Sequence, residues 1–184
     1  MFIFEIDYFS TKHRLPRAEE WQVVSLSFTV RQATLNDIDR VMYINRVSLP
    51  ENYTKTFFIE HLRRWPKVFL VAEVNGVVVG YVMSRVEIGW GHTKYGLTKK
   101  GHIVSIAVLE GYRRRGIGTA LMEAALRGLK EYGAKEVYLE VRVSNIPAIR
   151  LYEKLGFTIK KTIPYYYLDG EDAYLMVKSL TEEP

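Results

Sequence analysis

Arg113-Arg114-Arg115-Gly116-Ile117-Gly118 is the one tight cluster of basic residues in the chain, and glycines sit directly beside it. It lies within SIAVLEGYRRRGIGTALMEAAL, Ser105 to Leu126, where an apolar β-rich run leads through a basic turn into a helical pattern. Ile117, Leu121, Ala124, Ala125 and Leu129 mark the core-facing stripe of that helix. A helix start presents four unpaired N–H groups and about half a positive charge, so it favours a bound phosphate. Gly116 and Gly118 let the backbone approach a ligand where a Cβ would intrude. The arginines add charge that never titrates away. The chemistry is that of a pyrophosphate cradle. The segment has no Gly-Lys-Ser/Thr, as a P-loop requires, and does not match Gly-x-Gly-x-x-Gly. On these residues alone, a glycine turn that only packs a helix on a sheet is the alternative.

The elements that must position this turn are legible along the chain. FTVRQA alternates as a strand, and Thr34 with Asp37 forms a capping pattern that opens a helix. Leu35, Ile38, Val41, Met42 and Ile44 are expected on its buried side, and Pro50 stops it. A second helix is predicted over Lys55–Arg64, ended by Pro66. KVFLVAEV and VVVGYVMSRVEI flank Asn75-Gly76, a strong hairpin signal. A glycine-rich loop is expected from Gly89 to Gly101, then the strand HIVSIAVL, the basic turn and its helix. EVYLEVR, the short helix NIPAIRLYEKL, GFTIKKTIP and DAYLMVKSL complete the order β-α-α-β-β-β-α-β-α-β-β. Hairpins mixed with crossovers predict an α/β fold with a mixed sheet rather than a doubly wound one.

Composition bounds the rest. The 184 residues carry 48% hydrophobic and 26% charged side chains, which excludes disorder and collagen-like repeats. With no cysteine, disulfides, thiolate zinc sites and cysteine nucleophiles are excluded. The net charge of +5 attracts polyanions without naming one. No apolar stretch approaches the ~20 residues of a membrane helix, and the start, MFIFEIDYFS, lacks the basic opening of a signal peptide. The expectation is a soluble, cytoplasmic protein with an appended arm over residues 1–26 and a single domain over 27–184.

Arg113-Arg114-Arg115-Gly116-Ile117-Gly118 resembles the Arg/Gln-x-x-Gly-x-Gly/Ala acetyl-CoA motif of the GNAT acetyltransferase superfamily. Glu-Val-Arg-x-Ser-Asn and Leu151-Tyr152-Glu153-Lys154-Leu155-Gly156-Phe157 stand where that superfamily has them, and the resemblance spans about Phe28 to Leu180. Leu49-Pro50-Glu51-Asn52-Tyr53 and the segment from Tyr166 to Tyr174 are similar to segments of the N-terminal acetyltransferase A catalytic subunits and their archaeal-type relatives. The resemblance implies a GNAT fold: a mixed, mostly antiparallel sheet flanked by about four helices and splayed between the fourth and fifth strands. It implies acetyl transfer from acetyl-CoA, with no metal, to the α-amine of a protein N-terminus by direct attack in a ternary complex.

The resemblance also places residues. Backbone groups of Ile106, Ala107 and Val108 would pair with the pantetheine arm, and N–H groups over Arg114, Arg115, Gly116, Ile117, Gly118 and Thr119 would hold the pyrophosphate beside Arg113. Asn145 would contact the cofactor arm, or act as a helix N-cap ahead of Pro147, or both. Tyr152 would lie near the CoA sulfur as general acid or thiolate donor; a packed aromatic is the alternative. An α-amine with pKa near 8 is partly neutral already, so a modest base acting through water suffices. Glu51, Glu87 and His102 are the base candidates; His102 stands where some members carry a base tyrosine. Relatives often have a histidine at the position of Glu140, and a carboxylate there would orient His102 if the two face each other. Tyr53, Tyr166 and Tyr167 are expected to line a peptide groove, capped by a flexible Gly89–Gly101 loop.

A ribosome or an auxiliary subunit is a further partner the resemblance implies; specific nucleic acid and membrane are not expected partners. The rival readings are a small-molecule or lysine side-chain acetyltransferase of the same fold, and a non-enzymatic module that uses its basic charge to bind RNA or ribosomes.

Overall fold

The computed structural model describes residues 27–93 and 96–181. The arm expected over residues 1–26 lies outside them. The elements follow the expected order: β1 (Thr29–Gln32), α1 (Ile38–Ser48), α2 (Lys55–Arg64), β2 (Phe69–Val74), β3 (Val77–Trp90), β4 (Leu97–Val108), α3 (Ile117–Glu131), β5 (Glu136–Arg142), α4 (Ile146–Lys154), β6 (Thr158–Ile163) and β7 (Ala173–Ser179). Among the described residues the strands form one sheet in the order β1-β2-β3-β4-β5-β7-β6. Every pairing is antiparallel except β4 with β5.

Strand alternation sorts the core into two layers. Val82, Ile103 and Leu139 meet Leu121 and Leu129 of α3 and Ile149 of α4. Val71, Tyr81 and Met83 meet Val41 and Ile44 of α1 and Phe58 and Leu62 of α2. Asn75 and Gly76 turn the β2–β3 hairpin at φ of +49° and +78°.

Two expectations are corrected. The chain enters α1 through a 3₁₀ turn at Leu35–Asp37, which leaves Leu35 60% exposed rather than on the buried side. Residues 89–90 and 97–101 are strand rather than glycine-rich loop: β3 continues to Trp90 and β4 begins at Leu97, in register Trp90↔Leu97. Cross-strand pairing satisfies the backbone there, so glycine content was a poor guide, and the expected flexible cap is a long hairpin instead.

Asp37 anchors the start of α1. Its carboxylate accepts from the backbone N–H and hydroxyl of Thr34 at 2.7 and 2.8 Å and from both terminal nitrogens of Arg31 at 2.8 and 2.9 Å. The Arg31 bonds, working against burial and aided by Thr34, hold its pKa at about 2, below the ordinary 3.8. A depressed carboxyl stabilises the fold above its unfolded value and loses that contribution as pH falls through its folded value. Asp37→Asn is therefore expected to cost about 2 kcal/mol at neutral pH and only a small part of that by pH 2, measured by denaturant unfolding across that range.

The sheet divides where the site lies. β4 and β5 pair only at Lys100↔Glu136, Gly101↔Val137 and His102↔Tyr138. Beyond His102 they part, while β5 stays paired with β7 along its whole length. At the parting, Met83 pairs with Ser105 and Ser84 with Ile103, so Val104 is an extra residue in β4. Such a bulge bends its strand and increases the local twist.

Candidate active site

The fork leaves the β5-facing edge of β4 unpaired from Ile103 to Val108, which includes Ile106, Ala107 and Val108. An open edge of this kind can take an extended ligand by backbone hydrogen bonds, as an added strand would. At the end of the edge lies the basic turn. Arg113, Arg114, Arg115 and Gly116 are exposed. Arg113 Nε donates to the Val108 carbonyl at 2.9 Å, closing the turn against the strand. Arg114 and Gly116 both adopt left-handed φ, +62° and +83°, and Gly116 caps α3 without a side-chain hydrogen bond. The first N–H groups of α3, at Ile117, Gly118 and Thr119, therefore face outward with no side-chain cap. A Cβ on Gly116 would meet nothing within 4 Å, so packing does not demand glycine; φ and close ligand approach do.

α4 packs against this turn, since a Cβ on Gly118 would stand 3.4 Å from Leu151. The next residue, Tyr152, is 6% exposed beside Phe157, and its hydroxyl makes no hydrogen bond to any described residue. Burial pushes the Tyr152 hydroxyl well above the ordinary phenol value. Asn145 caps α4: its side-chain oxygen accepts from the Ala148 N–H at 3.3 Å, and its side-chain N–H₂ remains exposed.

On the α1/α2 side of the fork, His102 Nε2 lies 2.8 Å from Glu140 Oε2, which joins the two strands just where they separate. The imidazole stacks on Tyr138 at 4.4 Å and 8°. Tyr138 donates to Glu87 at 2.6 Å. Burial opposes ionisation of Glu87, but Tyr138, Arg85, His102 and Lys100 together hold its carboxyl below the ordinary value. Glu87 is thus occupied and weakly basic, whereas Glu140 keeps an oxygen free of described partners.

Glu140 lies within electrostatic reach of Tyr53, Tyr166 and Tyr167. Burial first, and then the negative charges of Glu51 and Glu140, raise the hydroxyls of Tyr53, Tyr166 and Tyr167 above the ordinary phenol value. Tyr53 donates to the carbonyl of the bulged Val104 at 3.4 Å. Tyr166 and Tyr167 meet edge to face at 5.0 Å. Glu51 does not face the groove as a free carboxylate: Arg142 holds it at 2.6 Å. The same guanidinium reaches Asp169 and Glu171, each at 2.7 Å, and lies 4.0 Å over the Tyr167 ring. Arg142 therefore ties the α1–α2 loop to the β6–β7 loop. Arg142→Gln is expected to release both walls, raising KM for a peptide about tenfold or more while leaving KM for the acyl donor within about twofold. Steady-state kinetics with each substrate varied in turn checks this.

Tyr138, Arg142 and Arg85 are the residues that motif reading missed. A signal for two of them was present, because alternation along EVYLEVR puts Tyr138 and Arg142 on the same face as Glu140.

An open-edged strand leading into a basic turn at a helix start can hold an extended ligand that ends in phosphates. The model of the Acetyltransferase (GNAT) family matches residues 35–157. An N-alpha-acetyltransferase of Sulfurisphaera tokodaii is 58% identical over 156 residues, 83% of this chain and 93% of that protein. Ard1 of Thermoplasma volcanium superposes with a TM-score of 0.73 at 37% identity, covering 84% of this chain and 99% of that one. Naa50 of Arabidopsis thaliana, solved with the bisubstrate analogue CoA-Ac-MVNAL, gives 0.72 at 26% identity with the same coverage of 84% and 99%. The chain belongs to the acetyltransferase (GNAT) family. Its activity is that of an acetyl-CoA-dependent N-terminal acetyltransferase.

Proposed function

We propose that the chain acetylates the α-amine of protein or nascent-chain N-termini by direct attack within a ternary complex, with the His102–Glu140 pair as the proton acceptor. The observation that carries this reading is the 2.8 Å pair at the fork, between the open β4 edge and the tyrosine-lined groove. Acetyl-CoA fits the residues present. Ile106, Ala107 and Val108 offer backbone groups to the pantetheine arm, and the turn from Arg113 to Thr119 offers uncapped N–H groups and fixed charge to the pyrophosphate. Asn145 serves the arm with its remaining amide hydrogens. When bound, the thioester supplies the activated acetyl group.

The neutral α-amine enters along Tyr53, Tyr166 and Tyr167. Its proton passes through one water to the pair, where Glu140 offers the free oxygen and His102 donates Nε2–H to the other. This refines the expectation that Glu140 merely orients His102. The departing thiolate takes its proton from Tyr152, whose hydroxyl stays protonated because it is buried. Glu87 supports the stack through Tyr138, and Glu51, locked by Arg142, shapes the groove wall. We assign residues 27–184 as the catalytic domain and 1–26 as an appended arm. Cytoplasmic location and an auxiliary subunit or ribosome as partner belong to the same proposal. Among the described residues no helix is long and apolar enough to cross a membrane.

The test is a mass-spectrometric assay with acetyl-CoA and free Ser-, Ala-, Met-Leu- and Glu-starting peptides, plus a blocked peptide with an internal lysine. Transfer to free N-termini alone is the expected result. Transfer to the lysine peptide overturns the α-amine assignment.

A further inference from the structure

Residues 49–54 join α1 to α2 and carry two of the groove residues, Glu51 and Tyr53. Among the described residues, no backbone–backbone hydrogen bond involves residues 50–53. A segment without such bonds takes its position from the side chains that reach it. Arg142 holds the Glu51 carboxylate at 2.6 Å, and the Tyr53 hydroxyl reaches the Val104 carbonyl at 3.4 Å. A third tie comes from the core. Asn45, 1% exposed near the end of α1, donates from Nδ2 to the Glu51 carbonyl at 3.1 Å and to the Tyr81 hydroxyl at 3.0 Å.

Chemistry fixes the direction of these bonds. A carbonyl only accepts, so the Asn45 atom facing Glu51 is the amide nitrogen, and its two hydrogens serve the two contacts. The Tyr81 oxygen accepts one of them and shares a hydrogen with Ser105 Oγ at 2.6 Å. Tyr81 is fully buried, its ring edge to face with Phe58 at 6.2 Å between centroids. Burial pushes its hydroxyl up to about 12 against the pull of Ser105 and Asn45, so the phenol stays protonated at any working pH. Ser105 directly follows Val104, the extra residue of β4, whose carbonyl receives Tyr53. Both ties to β4 therefore end at the bulge, on the strand whose open edge begins at Ile103.

We propose that Asn45, Tyr81 and Ser105 form a positioning strut that fixes residues 49–54 against the β4 bulge and so sets the distance between the peptide wall and the open edge. The three residues act through Glu51 and Tyr53 rather than on the reacting atoms. A buried hydrogen-bonded series of this kind is costly to interrupt, because each loss leaves a polar neighbour unpaired. A loop released from the strut spends only part of its time in the binding arrangement, and the apparent affinity for the peptide falls by that fraction. The β4 edge and the basic turn are held independently, by pairing with β3 and by the Arg113 bond to Val108. Binding of the acyl donor is therefore insensitive to the strut.

The proposal rests on the reading of Glu51 and Tyr53 as groove wall, and two measurements on the full chain keep the two apart. Tyr81→Phe removes the central oxygen and keeps the ring. In that variant the backbone amide order parameters of Glu51, Asn52 and Tyr53, read by NMR relaxation, are expected to fall, with those over residues 113–119 unchanged. Peptide KM is expected to rise about fivefold, the effect of one lost hydrogen bond, with kcat and KM for acetyl-CoA within about twofold. Ser105→Ala, which trims the far end of the strut, is expected to move the same quantities in the same direction and serves if Tyr81→Phe does not fold. Asn45→Leu with Tyr81→Phe is expected to match Asn45→Leu alone within about twofold, since one strut is broken in both. Unchanged order parameters, equal rises in both KM values, or losses that multiply in the double substitution overturn the strut. Fallen order parameters with an unchanged peptide KM overturn the groove-wall reading, and the positioning role with it. Transfer to lysine by the parent enzyme would remove the α-amine assignment alone, and KM for the lysine peptide would then read the same split.

Discussion

His102→Gln and Glu140→Gln are each expected to lower kcat about 10²- to 10⁴-fold, and the double substitution to be scarcely worse than either alone. The reason is geometric. At 2.8 Å the imidazole and carboxylate share one hydrogen bond, so removing either partner disables the same proposed proton acceptor. Residues that act as a unit are non-additive, whereas independent contributors multiply. Single-turnover rates from pH 5 to 9 on the three variants decide it, and multiplicative losses would sink the shared-acceptor reading.

Tyr152→Phe carries the second large effect, an expected fall in kcat of about 10- to 100-fold with KM for acetyl-CoA changed by less than about threefold. The phenol is buried, so phenylalanine fills the same volume and the fold keeps its packing against Phe157. The hydroxyl has no described protein partner, so nothing else in the core is left unpaired by its removal. Because burial raises its pKa, the Tyr152 hydroxyl stays protonated throughout the assay range. Rate and thermal unfolding are measured together: a stable variant with unchanged kcat would return Tyr152 to a packing role.

Local chemistry explains why so much was readable. The capping carboxylate of Asp37, the Asn75-Gly76 turn, the helix over Lys55–Arg64 and the basic turn before α3 each depend on neighbours within a few residues. Their preferences are written in residue type and spacing, and the structure places all four where the spacing predicts. The hairpin over residues 89–101 was misread because cross-strand pairing, a non-local energy, outweighed glycine content.

The His102–Glu140 contact required the tertiary structure. Strict alternation would put His102 on the face opposite Ser105, yet the extra residue at Val104 reverses the parity, and both lie on the α1/α2 side. Whether His102 meets Glu140 then depends on a three-residue parallel register between strands 38 positions apart. Arg142 likewise finds Glu51 across 91 positions and the β6–β7 carboxylates across less than a third of that distance. Sequence alone specified the basic turn before α3, because a helix start and two glycines need no distant partner. Only the folded sheet decided the His102–Glu140 contact, because a bulge and a short register set which side chains share a face.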